Sequence, residues 1–240
     1  MDLERRLNLT SPLLDSLSFF LMKTALVLPV YNESRYLADL IHAAKAHVDL
    51  VITVDDGSRD PSHEIAEKAG AIALRHRINL GKAAALKTGA EAALKLGADI
   101  IIFMDSDGQH LPSDLPRFID PIQHRGYQIV IGCRKGGDKM PFVRRMGNHS
   151  LELAARILFG ITIKDIQSGY RAFRADVYGK LCWTSKRYHA DAEMTVRTGK
   201  YHLKYKQILI DTIYLDDFKG MTVVDGLKLL FQIFLWRFSL

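Results

Sequence analysis

Residues 99–108 read DIIIFMDSDG, and the fold turns on this run. Five apolar residues, Ile100 to Met104, stop abruptly at Asp105, and Asp107 follows. An apolar run without alternation marks a strand buried on both faces, as in a parallel sheet with helices on each side. Side chains alternate along an extended backbone, so carboxylates with one residue between them project to the same side. Hard oxygen donors at that spacing suit Mg²⁺ or Mn²⁺. Taken alone, D-x-D is equally compatible with a general base pair or a polar turn. Gln109 is a candidate third oxygen ligand or water holder, and His110 reads as a loop residue.

Upstream, KAAALKTGAEAALKLG (82–97) reads as an Ala-rich helix stopped by Gly97, preceded by a short strand, AIALRH (71–76). HEIAEKAGA (63–71) is a helix, with Pro61 near its start and Gly70 at its end. LVITVDDGS (50–58) is a strand ending in a turn. Residues 34–47 carry Tyr36, Leu37, Leu40, Ile41 and Ala44 at helical spacing. TALVLPV (24–30) is a strand leading into YNES. Strands alternating with helices predict an α/β doubly wound, mainly parallel sheet with helices on both faces. Ligands bind at the carboxyl ends of the strands in such sheets. PVYNE, VDDGS and MDSDGQ all stand there, and three polar strand ends on one edge say more than any one of them.

Downstream, DLPRFIDPIQH (114–124) reads as a helix and YQIVIGCRK (127–135) as a strand ending in Arg134 and Lys135. GGDKMPF is a loop, and RRMGNHSLELAARILFG (144–160) an amphipathic helix. DIQSGYRAFRADVY (165–178) runs from a loop or strand into a helix start, and YKQILIDTIYL (205–215) is a late strand. Met22 opens the first strand. Residues 22–221 therefore read as one domain, 1–21 as an N-terminal extension and 222–240 as a C-terminal amphipathic helix. Packing of LLDSLSFFL on the core is the alternative for the extension.

The 240 residues are 48% hydrophobic and 25% charged, values of an ordinary globular chain. The net charge of +6 and pI near 9.2 fit nucleic acid, anionic lipid or phosphorylated substrates alike. No basic stripe with interleaved aromatics is present, so no nucleic-acid partner is expected. Gly81-Lys82 is no P-loop, because the upstream glycine and the following Ser/Thr are missing. Cys133 and Cys182 lack zinc-type spacing and read as reduced thiols, which fits a cytoplasmic setting. The N-terminus carries Arg5 and Arg6, but polar residues and Pro12 break the apolar stretch, and no signal-type cleavage site follows.

The ordered set LPVYNE, VDDGSRD, INLGKAAALKTG, MDSDGQHLPSDL, IGCRK and DIQSGYRAF resembles family 2 glycosyltransferases of the GT-A fold, across roughly residues 22–222. The dolichol-phosphate mannose synthase type, which includes polyprenyl-phosphate sugar transferases, is the nearer likeness. Tyr170 stands where that family more often has Phe. The resemblance implies a nucleotide diphosphate sugar as donor, GDP-mannose first and UDP-sugars as options. It implies a nucleotide site in which Pro29 fixes the turn, Tyr31 lies against base or ribose and Glu33 reaches the nucleoside, with Asn32 beside them. Asp55 and Asp56 would contact base edge and ribose. Asn79, Gly81 and Lys82 would line the same pocket, Lys82 near phosphate, with Ser106 close by. Asp105, Asp107 and Gln109 would hold Mg²⁺ or Mn²⁺ on the diphosphate as a Lewis acid.

A hydroxyl acceptor must lose a proton and needs a carboxylate base, whereas a lipid monophosphate is already an anion and needs cations to hold it. Arg134, Lys135, Lys139, Arg144 and Arg145 lie within twelve residues, offset only by Asp138. By resemblance Arg134 and Arg145 take the acceptor phosphate, with Arg144 the competing choice and a solvated basic face the alternative. Ser168, Gly169 and Arg171 would stand by the donor sugar or acceptor phosphate, and Asp165 would shape the sugar site. His189, Asp191 and Glu193 fall where hydroxyl-acceptor relatives place their base. Asp191 is the base candidate for that second reading, and a stabilising carboxylate at a helix start is its plain alternative. A non-catalytic sugar-nucleotide-binding protein is a third reading; a nucleotidyltransferase is disfavoured because PVYNE is no Gly-rich loop.

In TVVDGLKLLFQIFLWRFSL (222–240), Asp225, Lys228, Gln232 and Ser239 form one stripe, opposite Val223, Leu227, Leu230, Phe231, Phe234 and Phe238. Charge interrupts the run and it barely reaches spanning length. It reads as an interfacial helix with Trp236 and Arg237 near headgroups, or as a helix packed on the domain. Polyprenyl phosphate and the membrane surface are the expected partners, with a peripheral location on the cytoplasmic face.

Overall fold

The computed structural model describes residues 22–134, 142–185, 189–211 and 223–240, with the side chains of 142–145, 223 and 224 outside that description. The extension 1–21, Lys135 and Lys139 thus lie outside the described residues, and of Arg144 and Arg145 only the backbone lies within them. The first half follows the strand–helix alternation: β1 (Thr24–Val30), α1 (Leu37–Ala44), β2 (Leu50–Asp55), α2 (Ser62–Lys68), β3 (Ile72–Arg75), α3 (Lys82–Lys95) and β4 (Ile100–Phe103). The second half adds α4 (Leu115–Arg125), β5 (Ile129–Arg134), α5 (Phe142–Phe159), β6 (Arg171–Arg174), α6 (Tyr178–Leu181), α7 (His189–Lys200), β7 (Tyr205–Ile210) and α8 (Val223–Ser239).

The strands form one seven-stranded sheet in the order β3-β2-β1-β4-β6-β5-β7. All pairs are parallel except those of β6, which runs against both β4 and β5. The sheet is thus mainly parallel as read, and the antiparallel insertion is what the sequence did not announce. Successive strand residues serve opposite faces. Ala25, Val27, Ile101 and Phe103 pack with α3, α5, α7 and α8. Leu26, Leu28, Ile100 and Ile102 pack with α1, α2 and α4. Gly89 lets α3 lie close on β1, since a Cβ there would come within 2.2 Å of Val27 Cγ1.

Helix α8 packs on the domain by one face and leaves another open. Leu229, Ile233 and Trp236 are buried in the core layer that also holds Leu151, Ala155 and Phe159 of α5. Leu227, Phe231, Phe234, Leu235 and Phe238 remain exposed. Trp236 is a correction: at 3% exposure its indole packs inward and not toward headgroups. Among the described residues no helix is long and apolar enough to cross a membrane.

Candidate active site

The carboxyl ends of β1, β2 and β4 share one edge, because Val30 pairs with Asp55 and Val27 with Phe103. Running the other way, β6 brings its first residue to that edge: Arg171 lies between Phe103 and Ile131. The antiparallel turn therefore delivers residues 165–170 to the same place as MDSDG. β5 continues three residues past Ile131, which carries Arg134 to the rim.

At the centre, Lys82 Nζ lies 2.6 Å from Asp105 Oδ1 and 3.5 Å from Asp191 Oδ2. Gly169 presses against this pair; a Cβ there would sit 2.7 Å from both Lys82 Nζ and Asp105 Oδ2. His110 is buried with its ring 5.1 Å from that of Tyr170 and Nε2 3.8 Å from Asp105 Oδ2, so it faces the site and is more than a loop residue. Burial works against each charge of the Lys82–Asp105 pair, and attraction outweighs it. Asp105 and Asp191 hold the Lys82 ammonium above its ordinary pKa, while Lys82 and His110 hold the Asp105 carboxyl below its own. Asp107 goes the other way, raised by burial and by the Asp105 charge. Burial lowers the pKa of His110 against the pull of the Asp105 and Asp107 charges.

A carboxylate pushed up by a like charge is a place where a cation is welcome. Asp105 and Asp107 offer hard oxygens at one strand end, which fits Mg²⁺ or Mn²⁺. Among the described residues no group of three or more His, Cys, Asp or Glu side chains is placed to hold a metal ion. The remaining ligands would have to come from water, the half-exposed Gln109 or a bound diphosphate. The Gln109 backbone N–H donates to Asp107 Oδ1 at 3.0 Å, which fixes that carboxylate in the turn.

Asp165 grips Arg134 in bidentate fashion, with Nε–Oδ2 at 2.7 Å and Nη2–Oδ1 at 3.1 Å. Asp165 therefore orients Arg134, a role the sequence did not reveal. The Arg134 charge is close enough to help lower the Asp105 pKa.

Several residues expected to touch donor or acceptor are buried and engaged within the protein. Arg171 has no exposed surface; its guanidinium donates to the Ser168 carbonyl and, at 2.8 Å, to the Asp191 carbonyl. It ties β6 to the first turn of α7. Ser168 is likewise buried, its Oγ without a hydrogen-bond partner. Asp55 accepts the Ser58 N–H at 2.8 Å and pairs with Arg75 Nε at 3.0 Å. Asp56 accepts N–H bonds from Leu80 and Gly81 at 2.9 and 2.7 Å and meets His76 Nδ1 at 2.7 Å. Both carboxylates are buried; Asp56 anchors the 76–81 loop, and Asp55 holds the turn at Ser58 and the end of β3 at Arg75. Ser106 Oγ faces inward and donates to the Pro29 carbonyl at 2.7 Å. Glu193 is fully buried, accepting the Thr184 and Ser185 N–H groups and pairing with Arg197 at 2.8 Å. Asp191 lies between Lys82 and Arg171, 3.7 Å from the latter's Nη2. It does the work of an ion-pair anchor.

Other residues expected at a nucleotide site are accessible. Tyr31 is half-exposed beside half-buried Pro29, and Asn79 is open to solvent. Asn32 turns the chain at φ 56°, its N–H donating to Ser58 Oγ and its Oδ1 accepting the Arg59 N–H. The Glu33 N–H donates to Ser62 Oγ at 3.0 Å. Gly57, at φ +75°, has only 3.0 Å between a would-be Cβ and the Asn79 nitrogen, which lets the two loops close together. A separate cavity of about 700 Å³ between α7 and α8, lined by His189, Arg197, Tyr201 and Trp236 among others, contains none of the cluster around Asp105.

The family model described as glycosyl transferase family 2 matches residues 25–182. An uncharacterised protein of Methanocaldococcus jannaschii is 35% identical over 88% of this chain and 90% of its own length. A UDP-N-acetylglucosamine–dolichyl-phosphate N-acetylglucosaminyltransferase of Methanococcus voltae is 30% identical, over 88% and 95%. An undecaprenyl-phosphate mannosyltransferase of Micrococcus luteus is 33% identical, over 75% and 79%. Among solved structures, glucosyl-3-phosphoglycerate synthase from Mycobacterium tuberculosis with Mg²⁺ and uridine diphosphate superposes with TM-score 0.73 at 19% identity, covering 94% of this chain and 82% of that one. That likeness is one of fold.

Proposed function

The chain belongs to glycosyl transferase family 2 and is a GT-A glycosyltransferase; from there we propose that it transfers a hexose, with inversion, from a nucleoside-diphosphate sugar to a polyprenyl phosphate. One observation carries the choice of acceptor: Arg134, held by Asp165, stands beside the Asp105–Asp107 pair, while Asp191, the candidate base, is engaged by two cations. An anionic acceptor suits that arrangement better than a hydroxyl does.

Arg134 would hold the acceptor phosphate, aided by Arg145 or Arg144. An acceptor phosphate oxygen attacks the donor C1, and the bond from C1 to the leaving diphosphate oxygen breaks. The nucleoside diphosphate keeps the electron pair, and no proton has to move. Asp105 and Asp107, with Gln109, would hold Mg²⁺ or Mn²⁺ against the diphosphate, supplying positive charge where the leaving group gains negative charge. Lys82 lies close enough to answer the same charge. Tyr31, Asn79 and Glu33 would line the nucleoside site, with Asp55, Asp56 and Ser106 shaping it from beneath. Mannose from GDP-mannose is the donor first expected, and N-acetylglucosamine from its UDP form is the alternative drawn from the Methanococcus relative. The exposed apolar residues of α5 and α8 would rest on the cytoplasmic membrane surface, where a lipid phosphate is found.

The test incubates the protein and Mn²⁺ or Mg²⁺ with a panel of GDP- and UDP-sugars, with and without polyprenyl phosphate. The expected result is sugar in the organic phase from one donor, lost on chelation. Transfer only to saccharide hydroxyls would replace this reading with the one in which Asp191 acts as base.

A further inference from the structure

Lys82 is the first residue of α3, where its charge faces the positive end of the helix dipole and no acidic residue of that first turn answers it. Partners from elsewhere in the chain fix its position. The ammonium is boxed by Asp105 at 2.6 Å, Asp191 at 3.5 Å and the bare Cα of Gly169. Asp105 and Asp191 thus flank Lys82, and Asp191 has a second cation, Arg171, at 3.7 Å. Arg171 is fully buried and tied to backbone carbonyls, so it has no room to move. Lys82 keeps some exposure and a flexible four-carbon stem.

We propose that Lys82 is a tethered competitor of the divalent cation at Asp105, leaving that carboxylate only when a diphosphate draws the ammonium away. Asp105 is then a weak ligand toward a free ion and a good one once the donor is present. Binding of ion and donor is coupled, and by linkage each strengthens the other by the same factor. The inference rests on Asp105 and Asp107 being the metal ligands.

The experiment is Mn²⁺ binding to the purified full chain, followed through the electron paramagnetic resonance of free Mn²⁺, first without nucleotide and then with UDP or GDP. Without nucleotide, Lys82→Gln is expected to bind Mn²⁺ about tenfold more tightly than the native chain, within the usual range of coupling between sites. Lys82→Arg, which keeps the charge, should not tighten it. The strengthening by nucleotide seen in the native chain should shrink in Lys82→Gln. Lys82→Met serves as a second neutral variant if Gln disturbs folding, judged by thermal melting. Equal or weaker Mn²⁺ binding by the neutral variants overturns the inference. Asp105→Asn separates the two levels: lost Mn²⁺ binding there leaves the metal assignment standing whatever Lys82 does, and undiminished binding removes both.

Discussion

Asp105 and Asp107 stand two residues apart and respond to the fold in opposite directions. Asp105 is held charged by Lys82, whereas burial and the Asp105 charge raise the pKa of Asp107. A carboxyl whose folded pKa is raised stabilises the fold when protonated, and that stability is lost as pH rises through the folded value. At pH 7 the native chain therefore carries a cost at Asp107 that Asp107→Asn relieves. Transfer should fall about a hundredfold or more, the scale of losing one group aimed at transition-state charge. The melting temperature at pH 7 should be no lower than native, and the difference should fade below the ordinary carboxyl value of 3.8. Product assays and melts across pH check both parts; a variant that melts well below the native chain at pH 7 would make Asp107 structural. The D-x-D pair was legible because both side chains follow β4 within four residues, although the strand itself stops at Phe103 and the pair sits in the bend beyond it. The partners of Asp55, Asp56 and Arg171 were not. Each is settled by a contact across the fold, such as Asp56 with the Leu80 and Gly81 amides, and family spacing gives no hint of whether a carboxylate faces a ligand or its own loop.

Between elements, two contacts decide how the site is held. Helix α3 reaches β1 only because residue 89 has no side chain. Gly89→Ala would drive a methyl to within 2.2 Å of Val27 Cγ1 and should cost about 1–3 kcal/mol, the range for overpacking a filled core. Val27→Ala in the same chain should restore most of that loss, and denaturant titration of the single and double variants tests it. Glu193 joins α7 to the 184–185 turn. Burial pushes its carboxyl up, but bonds from Ser185 and Arg197 outweigh that and lower the pKa. Stability from a lowered carboxyl is present above the unfolded value and lost as pH falls through the folded one. Glu193→Gln should therefore lose about 2 kcal/mol at pH 7. The gap should narrow once pH falls below the ordinary glutamate value of 4.5; a gap unchanged at acid pH would point to packing instead of charge. The alternation of β1 through β4 was plain in the sequence, since parallel strands and their helices are local patterns. The direction of β6 was not. RAFR is four residues long, and only its neighbours in the sheet make it antiparallel.

At the scale of the whole molecule, α5 and α8 pack together and leave an apolar surface outside. Met146, Leu153 and Ile157 recur along one stripe of α5, and Leu227, Phe231, Phe234 and Phe238 along α8. Lys228, Arg237 and Arg156 are exposed on the same two helices and suit anionic headgroups. A contiguous apolar surface of this kind marks an interaction site more often than chance. Asn148 and Glu152 of α5 line a small hollow together with Asp165, the partner of Arg134, so a bilayer under these helices lies near the group proposed to hold a lipid phosphate. Phe231 and Phe238 are 63% and 77% exposed, so Asp at either position removes no core contact. Each buried Phe would contribute about 1.5–3 kcal/mol to docking. Phe231→Asp and Phe238→Asp should thus cut flotation with anionic phospholipid vesicles by tenfold or more while leaving the melting temperature unchanged. Ile233→Asp, buried in the same helix, should unfold the chain whether or not lipid is present. Transfer to a short, water-soluble prenyl phosphate should survive the two Phe changes, because the reacting groups lie at the sheet edge and not on these helices. If vesicle binding is unaffected and the native chain sediments as a dimer that either Asp disperses, the face is a contact between two copies, and the lipid acceptor must reach Arg134 by another route.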